Sequence, residues 1–328
     1  MNNLTTQVGP VTTSGFNTIT TQVGPVTTSG FNTINNKILT WSPKASLQSW
    51  IGVAMSSDGI IQTATAYGDH IYVSTDSGNT WTAKDSVRNW YGITMSSDGT
   101  KQTACEYNGQ IYISTDSGNT WTPKATSLPW IGVAMSSDGT KQTAVVYRGT
   151  IYTSSNSGNT WTAVANTGAY WGGVAMSSDG TKQTAIVTIS GQIYVSTDSG
   201  NTWTAKGPTA YWTGISMSSD GTIQVAVASN NYYNSSIPGF IYISVDSGNT
   251  WTLTPAPLQN WQSISVSSNG MIQTASIFGG QIYNSIDRGN TWLPSDTSRL
   301  WGANAMSSDG TKQTAVVFGG YIYVSNAS

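Results

Sequence analysis

Short runs of alternating apolar and polar residues, three to six positions long, are separated by turn residues along most of the chain. Gln102-Thr-Ala-Cys-Glu-Tyr107 is one such run, Gln110-Ile-Tyr-Ile113 the next, and Thr120-Trp-Thr122 a third. Each is rich in β-branched and aromatic residues, and each is bounded by Asn-Gly, Ser-Ser-Asp-Gly or Asp-Ser-Gly-Asn clusters, which is the signature of strands joined by tight turns. No helical period runs through them.

The runs recur. Ser74-Thr-Asp-Ser-Gly-Asn-Thr-Trp81 returns at 114–121, 154–161, 196–203, 244–251 and 285–292, so the period is about forty residues. A fixed period of this length signals repeat architecture. Within one period the order is a Thr-Trp strand, a loop, a strand opened by Trp, a Ser-Ser-Asp/Asn-Gly turn, a strand opened by Gln, a hairpin and an Ile-Tyr strand. The inner Trp occurs at 50, 90, 130, 171, 212, 261 and 301, and Ile-Tyr at 71, 111, 151, 193, 241, 282 and 322. Both counts give seven.

The octet Ser-x-Asp-x-Gly-x-Thr-Trp resembles the Asp-box of sialidases and many other β-propellers. The resemblance implies an all-β, seven-bladed β-propeller with four antiparallel strands per blade. It also implies that Asp76, Asp116, Asn156, Asp198, Asp246 and Asp287 are structural, at the blade periphery. Asn156 departs from the pattern but suits the same turn.

The ends of the repeat array are complementary. The seventh period stops at Tyr323-Val-Ser-Asn-Ala-Ser328 without its Thr-Trp strand, whereas Lys37-Ile-Leu-Thr-Trp41-Ser-Pro-Lys44 supplies such a strand with no blade before it. The N-terminal strand is therefore expected to complete the last blade and remove the open sheet edges. The expected organisation is a tail at 1–36 and a propeller at 37–328. Blade five carries a longer hairpin, Ser229–Gly239, with Tyr232 and Tyr233. It is either a contact loop or a tolerated insertion.

Residues 1–36 are of another kind. Thr5–Ile19 is repeated letter for letter as Thr20–Ile34 without a charged residue. Its Gly, Pro and Thr content opposes a helix, and about thirty residues cannot build a core. Extended at about 3.3 Å per residue it could span roughly 100 Å. It nevertheless carries Val8, Val11, Phe16 and Ile19 and the copies Val23, Val26, Phe31 and Ile34, which a plain linker does not need. These eight are the expected contacts to another copy of the chain.

Composition narrows function. Only 9% of the 328 residues are charged and the net charge is −2, so there is no basic stripe for nucleic acid. A surface of Thr, Ser, Asn, Gln and Gly suits an extracellular or virion-surface protein, although no signal peptide is visible. No apolar run of about 18 residues occurs, so no membrane insertion is expected. Asn3, Asn234 and Asn326 begin glycosylation sequons.

Chemistry is sparse. The sialidase resemblance would imply an arginine cluster, a Tyr-Glu nucleophile pair and an acidic acid/base. The chain has four arginines, Arg88, Arg148, Arg288 and Arg299, and one glutamate, Glu106. All aspartates except Asp69, Asp85 and Asp296 sit in the two repeated turns, so no pair of carboxyl groups for glycoside hydrolysis is evident. His70 is the one histidine and Cys105 the one cysteine, which leaves no metal set and no internal disulfide. No cofactor and no enzymatic activity are expected.

What remains is aromatic. Trp50, Trp90, Trp130, Trp171, Trp212, Trp261 and Trp301, with Tyr91, Tyr170 and Tyr211 beside them, either pack between blades or offer a glycan-binding ring at one mouth of the channel, joined by Tyr232 and Tyr233. The methionines at 55, 95, 135, 176, 217 and 306 are expected between blades. Two readings of function follow: a self-assembling structural bead linked to neighbouring copies by residues 1–36, and a carbohydrate-binding propeller.

Overall fold

The structure, a computed structural model, describes residues 39–229 and 239–326. The tail contacts expected between Val8 and Ile34, the sequons at Asn3 and Asn234, and Tyr232 and Tyr233 lie outside them, and the side chain of Asn326 is likewise outside the description. Among the described residues there are 21 strands and no helix, and the strands join one antiparallel network.

The second repeat shows how the pattern folds. Trp90–Met95, the end of the strand Thr82–Met95, pairs with Gln102–Gly109 from Trp90↔Glu106 to Met95↔Gln102. Gln102–Gly109 turns back on Ile111–Ser114, which in turn pairs with Thr122–Pro123. The Ser-Ser-Asp-Gly turn that joins the first two strands is closed from within. Ser96 Oγ donates to Asp98 Oδ1, and Gly99 N donates to Ser96 O at 2.8 Å.

Every repeat breaks register just after its inner Trp, at Trp50/Gly52, Trp90/Ile93 and their five equivalents. A bulge rotates the strand locally, and here it turns the indole into the junction with the preceding repeat. Trp90 packs there on Ile71 and Val73 of the first repeat and on Tyr112 and Trp121 of its own. Among the described residues there are seven such clusters, one per junction, and the last joins Val316, Ile322 and Val324 to Trp50 and Ala64.

The chain closes on itself. Thr40–Met55 pairs at its start with Lys312–Asn326, as Thr40↔Asn326 through Lys44↔Ile322, and at its end with Gln62–Ser74. The expected closing strand is therefore present. Around the axis the second serine of each Ser-Ser turn donates its N–H to the next repeat's serine carbonyl. The bonds run Ser57→Ser97→Ser137→Ser178→Ser219→Ser268→Ser308 and return to Ser57, at 2.7–2.9 Å. This ring exposes no unpaired sheet edge between first and last repeats.

A second ring of bonds is buried. Thr63 Oγ1 donates to Gln102 Oε1 of the next repeat at 2.7 Å, and Thr103, Thr143, Thr184, Thr274 and Thr314 repeat the contact. The fifth repeat breaks it. Val225 occupies the threonine position with no exposure, and Gln273 Oε1 is left buried without a partner. An unsatisfied buried acceptor costs about 1–3 kcal/mol. Val225→Thr, close in volume to valine, is expected to raise stability by about 1 kcal/mol, read as a higher urea midpoint at unchanged slope.

Candidate functional site

The repeated acids are occupied by their own turns. In the first octet Ser74 Oγ donates to Asp76 Oδ1 (2.8 Å), Thr80 N to the same oxygen (2.9 Å) and Thr80 Oγ1 to Oδ2 (2.7 Å). Trp81 Nε1 closes the turn on Gly78 O. Two consecutive residues adopt positive φ, Ser77 at 60° and Gly78 at 81°. A Cβ at Gly78 would stand 2.7 Å from Val324 Cγ2 of the adjoining repeat, so glycine is required there twice over. Asn156 holds the same turn: its Oδ1 accepts from Thr160 N, and its Nδ2 donates to Thr160 Oγ1 in place of the bond Asp76 accepts.

These bonds hold all eleven turn aspartates below the usual carboxylate range. Asp76 falls from 3.8 to about 2, chiefly through Thr80. Asp138, Asp179 and Asp220 also reach about 2, led by the hydroxyls of Ser136, Ser177 and Ser218. The unfolded chain therefore binds protons more readily than the folded one. The contribution is complete above pH 3.8 and is lost as pH falls toward 2. Acid titration followed by far-UV circular dichroism is expected to show the denaturant midpoint dropping through that window, and to show little change between pH 5 and 8.

The seven inner tryptophans have no exposed surface. An indole without exposure cannot stack on a sugar, so of the two readings open for Trp50, Trp90, Trp130, Trp171, Trp212, Trp261 and Trp301 the packing at the junctions stands and the glycan-binding ring is corrected. Five of them also donate their Nε1–H to a carbonyl, as Trp130 does to Thr126 O at 3.1 Å. The methionines are corrected too. None joins a junction cluster. With the Ser-Ser pairs they line a cavity of about 170 Å³ around the axis, at the end where the first strands finish.

At the other end of those strands, about 16 Å away for five residues at about 3.3 Å each, lies a second cavity of about 320 Å³. Tyr67, Tyr91, Tyr107 and Tyr147 line it together with Ile131, Gly172 and Thr188, and the unexposed Trp171 borders it. Tyr91 and Tyr107 have ring centroids 6.1 Å apart. Burial, followed by the nearby Cys105, Tyr107, Tyr147 and Tyr67, pushes the Tyr91 phenol above its ordinary value. Cys105, fully buried, is pushed up to about 12 by the same cause, which removes it as a nucleophile. Tyr91 was legible beside its Trp. Tyr67, Tyr107 and Tyr147 share one place in the repeat, five residues after the buried Gln, and that shared place is the signal that could have found them.

The arginines do not gather. Arg88 lies 4.7 Å over the Tyr112 ring, Arg299 4.3 Å over Tyr323, and Arg148 4.8 Å over Tyr170 with a 2.8 Å bond to its hydroxyl. Arg88 brings together two acids that the sequence did not pair: Asp85 at 3.8 Å and Glu106 at 3.9 Å. Both face the same guanidinium, and neither lines an axial cavity. Arg299 repeats the arrangement with Asp296 at 3.6 Å. His70 Nδ1 bonds its neighbour Asp69 at 2.6 Å, and among the described residues no three His, Cys, Asp or Glu side chains converge as a metal set would require.

The loops and hairpins at the end with the tyrosines also carry Leu47, Val87, Leu258, Phe278, Leu300 and Phe318, each roughly half exposed.

No protein-family model and no curated protein sequence matches the chain. Solved structures do. YCF48 bound to a D1 peptide matches with a TM-score of 0.69 at 12% identity, over 90% of this chain and 98% of that one. The GH74 xyloglucanase of Xanthomonas campestris matches with a TM-score of 0.71 at 15% identity, over 88% of this chain and 54% of that one. Hydrazine synthase of Kuenenia stuttgartiensis matches with a TM-score of 0.68 at 12% identity, over 86% and 97%. These neighbours are β-propellers with different activities, and at such identities the likeness speaks for the fold alone. The closed antiparallel ring of this chain is a β-propeller.

Proposed function

We propose that the chain is a non-enzymatic, seven-bladed Asp-box propeller, four strands to a blade, that acts as a rigid bead in an assembly of its own copies. Seven inner tryptophans, seven junction clusters and a ring of seven serine bonds support the blade count. Residues 1–36 link one bead to the next, at an extracellular or virion surface, with Val8, Val11, Phe16, Ile19 and their copies as contacts.

The observation that carries this reading is the contrast between the two parts of the chain. The described unit closes its ring between first and last repeats, holds its repeated acids in turns and keeps its arginines apart, so it offers a scaffold. The duplicated segment is uncharged, places eight apolar residues within thirty and is short for a chain that must bury them by itself. An extended segment of that kind gains main-chain bonds and side-chain pockets by docking on a partner. The neighbour YCF48 is a propeller bound to a peptide. The apolar rim around Leu47, Val87 and Phe318 is the surface best suited to receive it. A head-to-tail contact of this kind gives filaments unless rotation closes it.

Deletion of residues 1–36 tests the reading by light scattering and electron microscopy. The full chain should form oligomers or fibres and the truncated chain a folded monomer. Equal assembly by both, or a monomeric full chain, would overturn it.

A further inference from the structure

The repeats of this chain are close copies, so what differs among them is not required by the fold. Five residues after the buried Gln, the seven repeats carry Tyr67, Tyr107, Tyr147, Thr188, Ser229, Phe278 and Phe318. The three tyrosines fall on three successive repeats, and Tyr91, from a different place in the second repeat, joins them around the 320 Å³ cavity. The cavity is thus a local departure from sevenfold similarity and not a property of the ring.

Its chemistry is specific. Aromatic faces supply apolar walls. The hydroxyls of Tyr67, Tyr91, Tyr107 and Tyr147, unlike those of Tyr170 and Tyr211, make no hydrogen bond to another described residue. Each phenol can both donate and accept. No carboxylate or ammonium group lines the space. Its volume falls at the lower end of the about 300–1,000 Å³ typical of small-molecule sites. Walls that are flat and apolar, with hydroxyl groups at their edges and no charge, match a ring that is itself apolar on its faces and hydroxylated at its rim.

We infer that the tyrosine cavity is a binding site for a neutral pyranose sugar. The ring stacks on the Tyr107 and Tyr147 side chains while its hydroxyls bond the phenols. The site is independent of the assembly by residues 1–36, and its contacts to the sugar come from the tyrosines and not from the inner tryptophans.

The test uses the full chain. D-glucose, D-galactose, D-mannose, N-acetyl-D-glucosamine and cellobiose are titrated singly, with saturation-transfer NMR and calorimetry as readouts. At least one should bind saturably, with a Kd of about 1 mM or tighter. Tyr107→Ala and Tyr147→Ala should each weaken it about tenfold, equivalent to about 1.4 kcal/mol. Tyr107→Phe and Tyr147→Phe, which keep the ring and are least able to disturb folding, should weaken it about threefold or more. Phe318→Ala, at the same place in the seventh repeat, should leave it unchanged. The inference fails if none of the five sugars binds, or if the phenylalanine variants bind as well as the parent. It also fails if a peptide of residues 5–19 occupies the site and the sugars do not. That last outcome would leave the assembly reading standing.

Discussion

A chain lacking residues 1–44 is expected to be largely unfolded at 25 °C, whereas one lacking only residues 1–36 folds. The eight residues between these cuts include Thr40–Lys44, which pair with Ile322–Asn326. Without them the last repeat loses its outermost ladder. It also loses Trp41, whose ring lies 6.1 Å from Trp301 and whose Nε1 reaches Ser295 Oγ at 3.4 Å. Two consequences then combine, because an exposed edge replaces a paired one and the Trp301 cluster is opened to water. The expected loss exceeds about 5 kcal/mol, which is the scale of a whole domain's stability. Circular dichroism and a urea titration of the two truncations decide it. A cooperative transition in the shorter chain at the midpoint of the longer one would show that the closing ladder contributes little.

Trp130→Ala carries the second large effect, a loss of about 3–5 kcal/mol. The indole fills the junction between Cys105 and Ile111 on one side and Val133, Ala144 and Val146 on the other, all buried. The seven sites are not equivalent in their polar edge. Trp130 donates to Thr126 O, but the Nε1 atoms of Trp261 and Trp301 are buried without a partner. Exchange to phenylalanine should therefore cost about 1 kcal/mol more at Trp130 than at Trp301. Guanidinium unfolding of Trp130→Phe and Trp301→Phe measures the difference, and equal costs would mean that the indole bond is worth nothing net.

The architecture was legible because the turns are local. A Ser-Ser-Asp-Gly or Asp-Ser-Gly-Asn cluster fixes its reversal through bonds within five residues, so its meaning does not depend on what packs around it. The closing strand was legible for a related reason, since Trp41 and its neighbours match a strand that the seventh repeat lacks. The site was harder. A tryptophan opening a strand looks the same whether it faces solvent or a neighbour, and the bulge after Trp90 that settles the matter shows only in the pairing of Trp90 with Glu106 and Ile93 with Ala104. The methionines misled in the opposite sense: Met55 and its equivalents end the first strand and reach the axis, where the repeats converge. Asp85 and Glu106 are 21 positions apart and meet on Arg88 because Trp90, two residues beyond it on the same strand, pairs with Glu106.

The ladder between Thr40–Lys44 and Ile322–Asn326 also decides how the molecule would respond to being stretched. It holds the first strand of the described residues, so tension applied at the N-terminal side of the ring arrives at these few backbone bonds before it reaches any other part of it. The same bonds keep the circle shut. Detaching the start of that strand by force and breaking open the circle are, for this protein, a single event.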